Sequence, residues 1–317
     1  EDAEISMELD PTVTTAQHYP ALRAMGFNRV SLGVQDFDDS VQSAIGRDQW
    51  SSVSYEAFER ARCAGFDSIN LDLLYGLPLQ STAHLERSAQ SVAELGADRV
   101  AIFGYAHVPW MKPHQKKLER YGLPSGESRW EMFQAARRVF YAAGYEPVGF
   151  DHFAKPDDEL VQHSGCLNRN FQGYTVLDPM PVLAFGASAI ADLSDRFVQN
   201  EKRLSAYMDA VFEGRPAAER MCIRGEDDEV RRALITEFMC NMELHGCTLP
   251  QAQADVFRGV LSTPNPVLDE LVADELVRIS RDRLAVTERG RAFLRVVASV
   301  FDAYLECPTE ARFSHAV

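Results

Sequence analysis

Residues 69–78 read INLDLLYGLP, an apolar run that carries Asn70 and Asp72 and stops at Gly76 and Pro78. Its length and its stop suit a buried strand better than a helix. Side chains alternate along a strand, so Asn70, Asp72 and Leu74 share one face and Ile69, Leu71 and Leu73 share the other. A carboxylate in such a strand needs partners, because an unpaired buried charge is very costly. From the strand alone two readings stand. Asp72 is either a structural group bonded to neighbouring backbone or a ligand-binding group inside a barrel. Three more apolar segments end in similar polar or glycine-bearing stretches: Glu8-Leu9-Asp10-Pro11, Gly33-Val34-Gln35-Asp36-Phe37 and Gly104-Tyr105-Ala106-His107. Barrels of parallel strands carry their sites at C-terminal strand ends, so these ends together point to a site.

The elements that position these ends follow one grammar: helix, glycine, aromatic or small residue, strand. Gly26-Phe27 precedes 28–34, Gly65-Phe66 precedes 68–74, Gly96-Ala97 precedes 99–105 and Gly144-Tyr145 precedes 146–150. Residues 4–9 (EISMEL) read as an earlier strand of the same series. Glycine just past a helix closes it in the left-handed conformation. Strands alternating with helices imply right-handed crossovers and a parallel sheet. Lys112, Lys116, Lys117 and Arg120 cluster with His114 in a basic stretch. It is either a solvated surface helix or a local attractor for an anionic substrate. Residues 151–160 and 167–175 are polar, aromatic-rich loops of the kind that form lids.

After about residue 215 the grammar changes. A helix is expected at 227–244, another at 267–275, a hairpin from 277–279 and 284–286, and a final helix at 289–305. This order resembles a winged helix. Asp269, Glu270, Asp274 and Glu275 flank the helix that would read DNA and would meet phosphate at close range. Packing or lid duty is therefore expected in place of DNA binding. The division is drawn as 1–215 and 216–317.

The formal charge of −15 argues against a general nucleic-acid binder. No apolar run reaches the length of about 18 residues that a spanning helix needs. Cysteines stand at 63, 166, 222, 240, 247 and 307, without the spacing of a metal cluster. Reduced thiols in a cytosolic protein are expected. The chain opens on Glu1, and a strand-like segment begins almost at once, so the sequence reads as cut at its N-terminus.

Seven collinear stretches, ISMELDP, RVSLGVQDF, IGRDQ, NLDLLYGLP, FGYAHVP, FDHFAKPDDEL and LNRNFQGYT, resemble the oxygen-independent coproporphyrinogen III oxidases, a radical S-adenosylmethionine (SAM) family. The resemblance runs over nearly the whole chain. It implies an α/β fold: a partial (β/α)6 radical-SAM barrel, later strands only, followed by a mostly α, winged-helix-like C-terminal domain. It also implies a [4Fe–4S] cluster and two bound SAM molecules. The family's CxxxCxxC loop and Gly-rich SAM segment have no counterpart here. No metal ligand is expected in this chain, which by itself is expected to be catalytically silent.

By the same resemblance, Glu8, Ala106 and Ile190 correspond to contacts with the cluster-bound SAM. Gln35, Arg47 and Asp72 correspond to contacts with the second SAM. A guanidinium suits a two-pronged grip on a carboxylate. Arg169 and His152 are candidates for substrate contact. The implied chemistry starts with reductive cleavage of SAM to a 5′-deoxyadenosyl radical. That radical takes hydrogen from a propionate β-carbon, and loss of CO2 and one electron leaves a vinyl group. Two such events turn coproporphyrinogen III into protoporphyrinogen IX in heme synthesis. A cytoplasmic monomer without nucleic-acid or membrane partners is expected, with an electron donor the sequence does not name. Heme chaperones of the same family are the alternative, and a DNA-binding winged-helix regulator is a distant third. Asp36-Phe37 after Gln35, Asp48-Gln49 after Arg47, residues 105–109 (YAHVP) and residues 168–174 (NRNFQGY) resemble the oxidase pattern.

Overall fold

The computed structural model describes residues 4–47, 49–170, 173–177 and 181–305. Asp48, Phe171 and Gln172, which sit in the motifs above, lie outside the described residues. The described chain forms two compact units. One takes residues up to 165 together with 289–296, and the other takes 166–288 with 297–305.

The first unit is built on a six-stranded sheet: β1 (Ser6–Leu9), β2 (Arg29–Gln35), β3 (Ser68–Tyr75), β4 (Arg99–Gly104), β5 (Glu146–Val148) and β6 (His152–Ala154). Its order is β1-β2-β3-β4-β6-β5. The first four strands run parallel, joined by α1 (His18–Ala24), α2 (Asp39–Ala44), α3 (Ser51–Cys63) and α4 (Thr82–Leu95). α5 (Gly126–Ala142) and the single turn α6 (Glu159–Gln162) complete the unit's helices. The helix stops are where the glycine pattern places them. Gly26, Gly65, Gly96 and Gly144 all take positive φ. In each case the next residue donates its N–H back across the closing turn, as Phe27 does to Leu22 and Tyr145 does to Phe140. Only glycine adopts that conformation without a Cβ penalty.

Segment 146–150 departs from the repeat. β5 does not pair with β4; β6 lies between them, antiparallel to both. Four residues after β5 begins its turn the chain is already in β6, which allows a hairpin, whereas a parallel neighbour requires a crossover of a dozen residues or more.

β3 shows the two-faced character read from its sequence. Ile69, Leu71 and Leu73 are fully buried, alternating with half-exposed Asn70, Asp72 and Leu74. The apolar face packs with Val30, Leu32, Val34, Val100 and Ile102 against Phe58 of α3, Leu85 and Val92 of α4, and Phe133 and Phe140 of α5. Burying a side chain of this size contributes roughly 1.5–3 kcal/mol, which fixes the register of every polar residue on the opposite face.

The second unit holds a hairpin of β7 (Asn168–Asn170) and β8 (Gly173–Thr175), and a sheet of β9 (Ile190–Asp192), β10 (Arg196–Asn200) and β11 (Ala218–Ile223) in the order β11-β10-β9. α7 (Leu204–Phe212) joins β10 to β11. α8 (Glu226–Asn241), β12 (Glu243–His245), α9 (Gln251–Ser262), α10 (Pro266–Ala273), β13 (Val277–Ser280) and β14 (Arg283–Val286) follow. The expected helix over 227–244 is shorter. Met242 turns left-handed, and Leu244 enters β12, which pairs with β14. The final helix is broken into a 3-10 turn, α11 (Leu294–Ala298) and a second 3-10 turn. The units divide near residue 165, earlier than the change of grammar at 215. The physical link is that the hairpin belongs with α8: Tyr174 is buried and donates its hydroxyl to the Met239 carbonyl.

Candidate functional site

Six of the residues singled out above lie in the first unit: Glu8, Gln35, Asp72, Ala106 and His152 on or just beyond the strands of its sheet, and Arg47 after α2. Cross-strand register sets several on one face. Glu8 is opposite Ser31, Ser31 opposite Asn70, Gly33 opposite Asp72, Asp72 opposite Ala101 and Ala101 opposite His152.

Asp72 has side-chain partners, not the backbone partners of the structural reading. The Ser31 hydroxyl donates to one oxygen at 3.0 Å and Asn70 Nδ2 to the other at 2.7 Å. Asn70 Nδ2 also donates to Ser31 at 2.8 Å, closing a triangle. Burial pushes the Asp72 carboxyl above the usual range; Ser31 and Asn70 oppose that push, Glu8 adds to it and His152 counters it. Asn70 Oδ1 is buried without a hydrogen-bond partner among the described residues. A buried acceptor left open costs roughly 1–3 kcal/mol and marks a place where a ligand donor fits.

Gln35 ends β2 in an uncommon backbone state. Its φ is +70°, and the Asp36 N–H donates to the Val34 carbonyl at 2.9 Å. This is a three-residue turn of the rarer, strained hand, a conformation that costs on the order of 1–3 kcal/mol and persists only when its surroundings hold it. The turn brings the Gln35 side chain back over Gly33. A Cβ built at Gly33 would lie 3.0 Å from Gln35 Nε2 and 4.0 Å from Arg47 Nη2. Gln35 and Arg47 thus converge above a glycine that has no side chain to obstruct them.

Arg47 is held in place from several sides. Its Nη2 donates to Gly33 O at 3.1 Å and to Gln49 Oε1 at 2.7 Å, and lies 3.3 Å from Asp10 Oδ2. Although burial pulls the other way, bonds from Thr12 and the Arg47 charge hold the Asp10 carboxyl below its usual range. Asp10 therefore already balances Arg47, and a ligand carboxylate would share or displace that partner.

Ala106 is exposed, and its carbonyl accepts from Gln115 Nε2 at 3.2 Å. Next to it His107 lies 3.1 Å from Glu119 Oε1 and 3.4 Å from the Tyr105 hydroxyl. His152 meets Asp151 Oδ1 through Nδ1 at 2.6 Å and stacks edge-on to Phe103 at 5.7 Å. Lys112, His114, Lys116, Lys117 and Arg120 are all exposed, on or just before the 3-10 helix Pro113–Tyr121. Arg169 and Ile190 belong to the second unit. Arg169 lies half-buried with its guanidinium 4.5 Å from the centre of the Tyr174 ring, and Ile190 is half-buried in β9 opposite Gln199.

Sequence reasoning passed over a set of buried glutamines. Gln42 donates to the Val34 and Asp36 carbonyls, Gln49 to those of Gly33 and Val34, and Gln80 to Asp36 Oδ2 and Leu74 O. Glutamine is usually a surface residue, and no spacing rule flags a buried one. Asp36 itself is fully buried, and burial pushes its carboxyl upward against the bonds it accepts from Asp38, Gln80 and Ser88.

The fit to cofactors differs between the two expected groups. Among the described residues no group of three His, Cys, Asp or Glu side chains could hold a metal ion, so these residues do not fit a four-iron cluster. Acceptors at Asp72 and Asn70, an amide at Gln35 and a cation at Arg47 do fit an amino-acid ammonium, ribose hydroxyls and a carboxylate, the polar groups of SAM.

Comparison with known proteins identifies the family. The Radical SAM superfamily profile matches residues 1–92. An oxygen-independent coproporphyrinogen III oxidase of Synechocystis is 40% identical over 328 residues, covering 100% of this chain and 70% of that protein. The enzyme of that name from Thermostichus vulcanus is 38% identical, covering 100% of this chain and 98% of its own length. The solved structure of the Escherichia coli coproporphyrinogen III oxidase, described as a radical SAM enzyme, superposes with a TM-score of 0.86 at 38% identity, covering 96% of this chain and 70% of that one. The chain belongs to the oxygen-independent coproporphyrinogen III oxidase family of radical SAM oxidoreductases, and it carries that family's α/β fold.

Proposed function

We propose that this protein acts in the oxidative decarboxylation of two propionate side chains of coproporphyrinogen III to vinyl groups, giving protoporphyrinogen IX without oxygen. The observation that carries the reading is the convergence of Gln35 and Arg47 over Gly33, on the sheet that also holds the Asp72 triangle. When bound and reductively cleaved, SAM supplies a radical able to take hydrogen from an unactivated carbon. The chain's own side chains bind and orient it. Arg47 takes a carboxylate with Asp10 as the partner it exchanges. Asp72 accepts from an ammonium or a hydroxyl, Asn70 Oδ1 takes a further donor and Gln35 fixes the near edge. We assign these contacts to a second SAM, and Glu8, Ala106 and Ile190 to the first. Ala106 would act through its backbone groups and shape.

The substrate carries carboxylates, and the exposed basic residues around the 3-10 helix, together with Arg169 and His152, are the groups assigned to them. A well-made arginine–carboxylate bond contributes roughly 1.5–3 kcal/mol. In this reading the first unit is the later-strand part of a (β/α)6 barrel. The helices and hairpin after residue 215 form a winged-helix-like domain that packs without binding nucleic acid, because Asp269 and Glu270 of α10 and the adjoining Asp274 and Glu275 repel phosphate. No helix among the described residues is long and apolar enough to cross a membrane.

The test is an anaerobic assay of the full-length protein with SAM and a reductant, resolving the tricarboxylic intermediate and protoporphyrinogen by chromatography. Both products are expected. Stable heme binding and transfer, with no vinyl product from a protein containing its cluster, would assign the chain to the heme chaperones of the same family.

A further inference from the structure

We propose that Asp36 is a positioning residue for SAM, acting through a network of buried amides that holds the strained turn at Gln35. The proposal rests on the reading that Gln35 and Arg47 contact SAM. Three donors converge on the Asp36 carboxylate: the Asp38 N–H at 2.7 Å, the Ser88 hydroxyl at 2.9 Å and Gln80 Nε2 at 2.6 Å. None of the three can reverse its direction. The Asp38 donor is backbone. Ser88 accepts the Phe37 N–H at 3.1 Å, which turns its own proton toward Asp36. Gln80 Oε1 accepts the Gly76 N–H at 2.7 Å and the Leu77 N–H at 3.1 Å, which fixes its amide with Nε2 outward. Only a group with acceptors alone satisfies all three, and that group is a carboxylate.

The anchored Asp36 forms one end of the turn. Gln42 ties both sides of it, donating to Val34 O at 2.7 Å and to Asp36 O at 2.6 Å. Gln80 follows β3, so the same bonds couple the strand end bearing Gln35 to the one beyond Asp72. Such closure is what a positive-φ glutamine requires in order to persist. Relaxing the turn would swing the Gln35 side chain away from Arg47 while leaving every proposed SAM contact residue in the sequence.

The test is SAM stoichiometry and affinity by equilibrium dialysis with labelled SAM on the full-length, anaerobically reconstituted protein, with iron content and thermal midpoint measured alongside. Asp36→Asn places an N–H against a fixed donor, and it should weaken one SAM equivalent about tenfold at unchanged iron content. Should Asp36→Asn not fold, Ser88→Ala removes one of the three donors and should weaken SAM about two- to fivefold. A lowered thermal midpoint with SAM affinity kept within about twofold would reduce Asp36 to a structural role and overturn the proposal. Arg47→Ala separates the two levels. If it leaves SAM binding intact, the SAM reading fails and this inference with it. If it weakens SAM while Asp36→Asn does not, the positioning role alone fails.

Discussion

At the N-terminal ends of β2 and β4, Arg29 and Arg99 meet carboxylates at ion-pair distance. Arg29 lies 2.5 Å from Glu4 and 2.7 Å from Glu159, and Arg99 lies 2.7 Å from Asp158 and 2.9 Å from Glu159. Midway along the same strands, on the polar face of β2 and β3, the polar groups are left less complete. Asp72 is partnered only by the neutral Ser31 and Asn70, and Asn70 Oδ1 has no partner among the described residues. The Arg29 and Arg99 cluster neutralises its charges internally, as Asp10 does for Arg47, whereas Asp72 and Asn70 hold acceptors in readiness. Charge that is already matched stabilises the fold, whereas an acceptor kept apart from any cation is available to a ligand.

The largest expected effect lies in the Arg29 and Arg99 cluster. Arg99→Met leaves Asp158, whose side chain is 7% exposed, without its cation. Removing one partner of a buried pair typically costs about 3–5 kcal/mol. Urea denaturation should show a loss of that order, while SAM affinity in the folded variant stays unchanged. A SAM effect at this end would break the contrast.

The pH dependence set by Asp72 is next. Burial raises the Asp72 carboxyl above its unfolded value, so the folded state holds that proton more tightly than the unfolded chain does. Its contribution to stability is fully present below the ordinary carboxylate range and is lost as pH rises through the raised value. Asp72→Asn removes that dependence and should make the protein more stable than the unmodified chain at neutral pH, as read by thermal melts across acidic to neutral buffers. A variant less stable at neutral pH would make Asp72 a structural partner instead.

A smaller effect is expected from Gly33→Ala. The added Cβ comes within 3.0 Å of Gln35 Nε2, which must then move. Affinity for SAM should fall a few-fold, on the order of 0.5–1 kcal/mol, with the thermal midpoint nearly constant. Unchanged affinity would show that the Gln35 amide is free to sit elsewhere.

Half of this contrast, the polar face of β3, was legible in the sequence, and the ion pairs of Arg29 and Arg99 were not. The alternation in 69–74 placed Asp72 on a polar face, and the helix-stop glycines placed four strands. Those signals are local: a period of two, or a residue that alone tolerates positive φ. The β6 insertion was not legible, because 146–150 has the same grammar as the parallel strands and only the short return of the chain decides its neighbour. Nor was the amide network. Gln42, Gln49 and Gln80 are each ordinary in sequence, and their burial arises from α2 and the loops of Gln49 and Gln80 meeting at the ends of β2 and β3. The same limit hid Asp10 as the partner of Arg47, since that pairing joins the end of β1 to the segment after α2.

The most direct test compares SAM binding by Asp72→Asn with that of the unmodified full-length protein, iron content being measured in both. The account predicts one SAM equivalent weakened about tenfold or more, the loss of a charge-assisted bond of ~1.5–3 kcal/mol, at full iron content and with the fold intact. SAM binding of unchanged stoichiometry and affinity in that variant would contradict the assignment of Asp72 and its polar face to the SAM site.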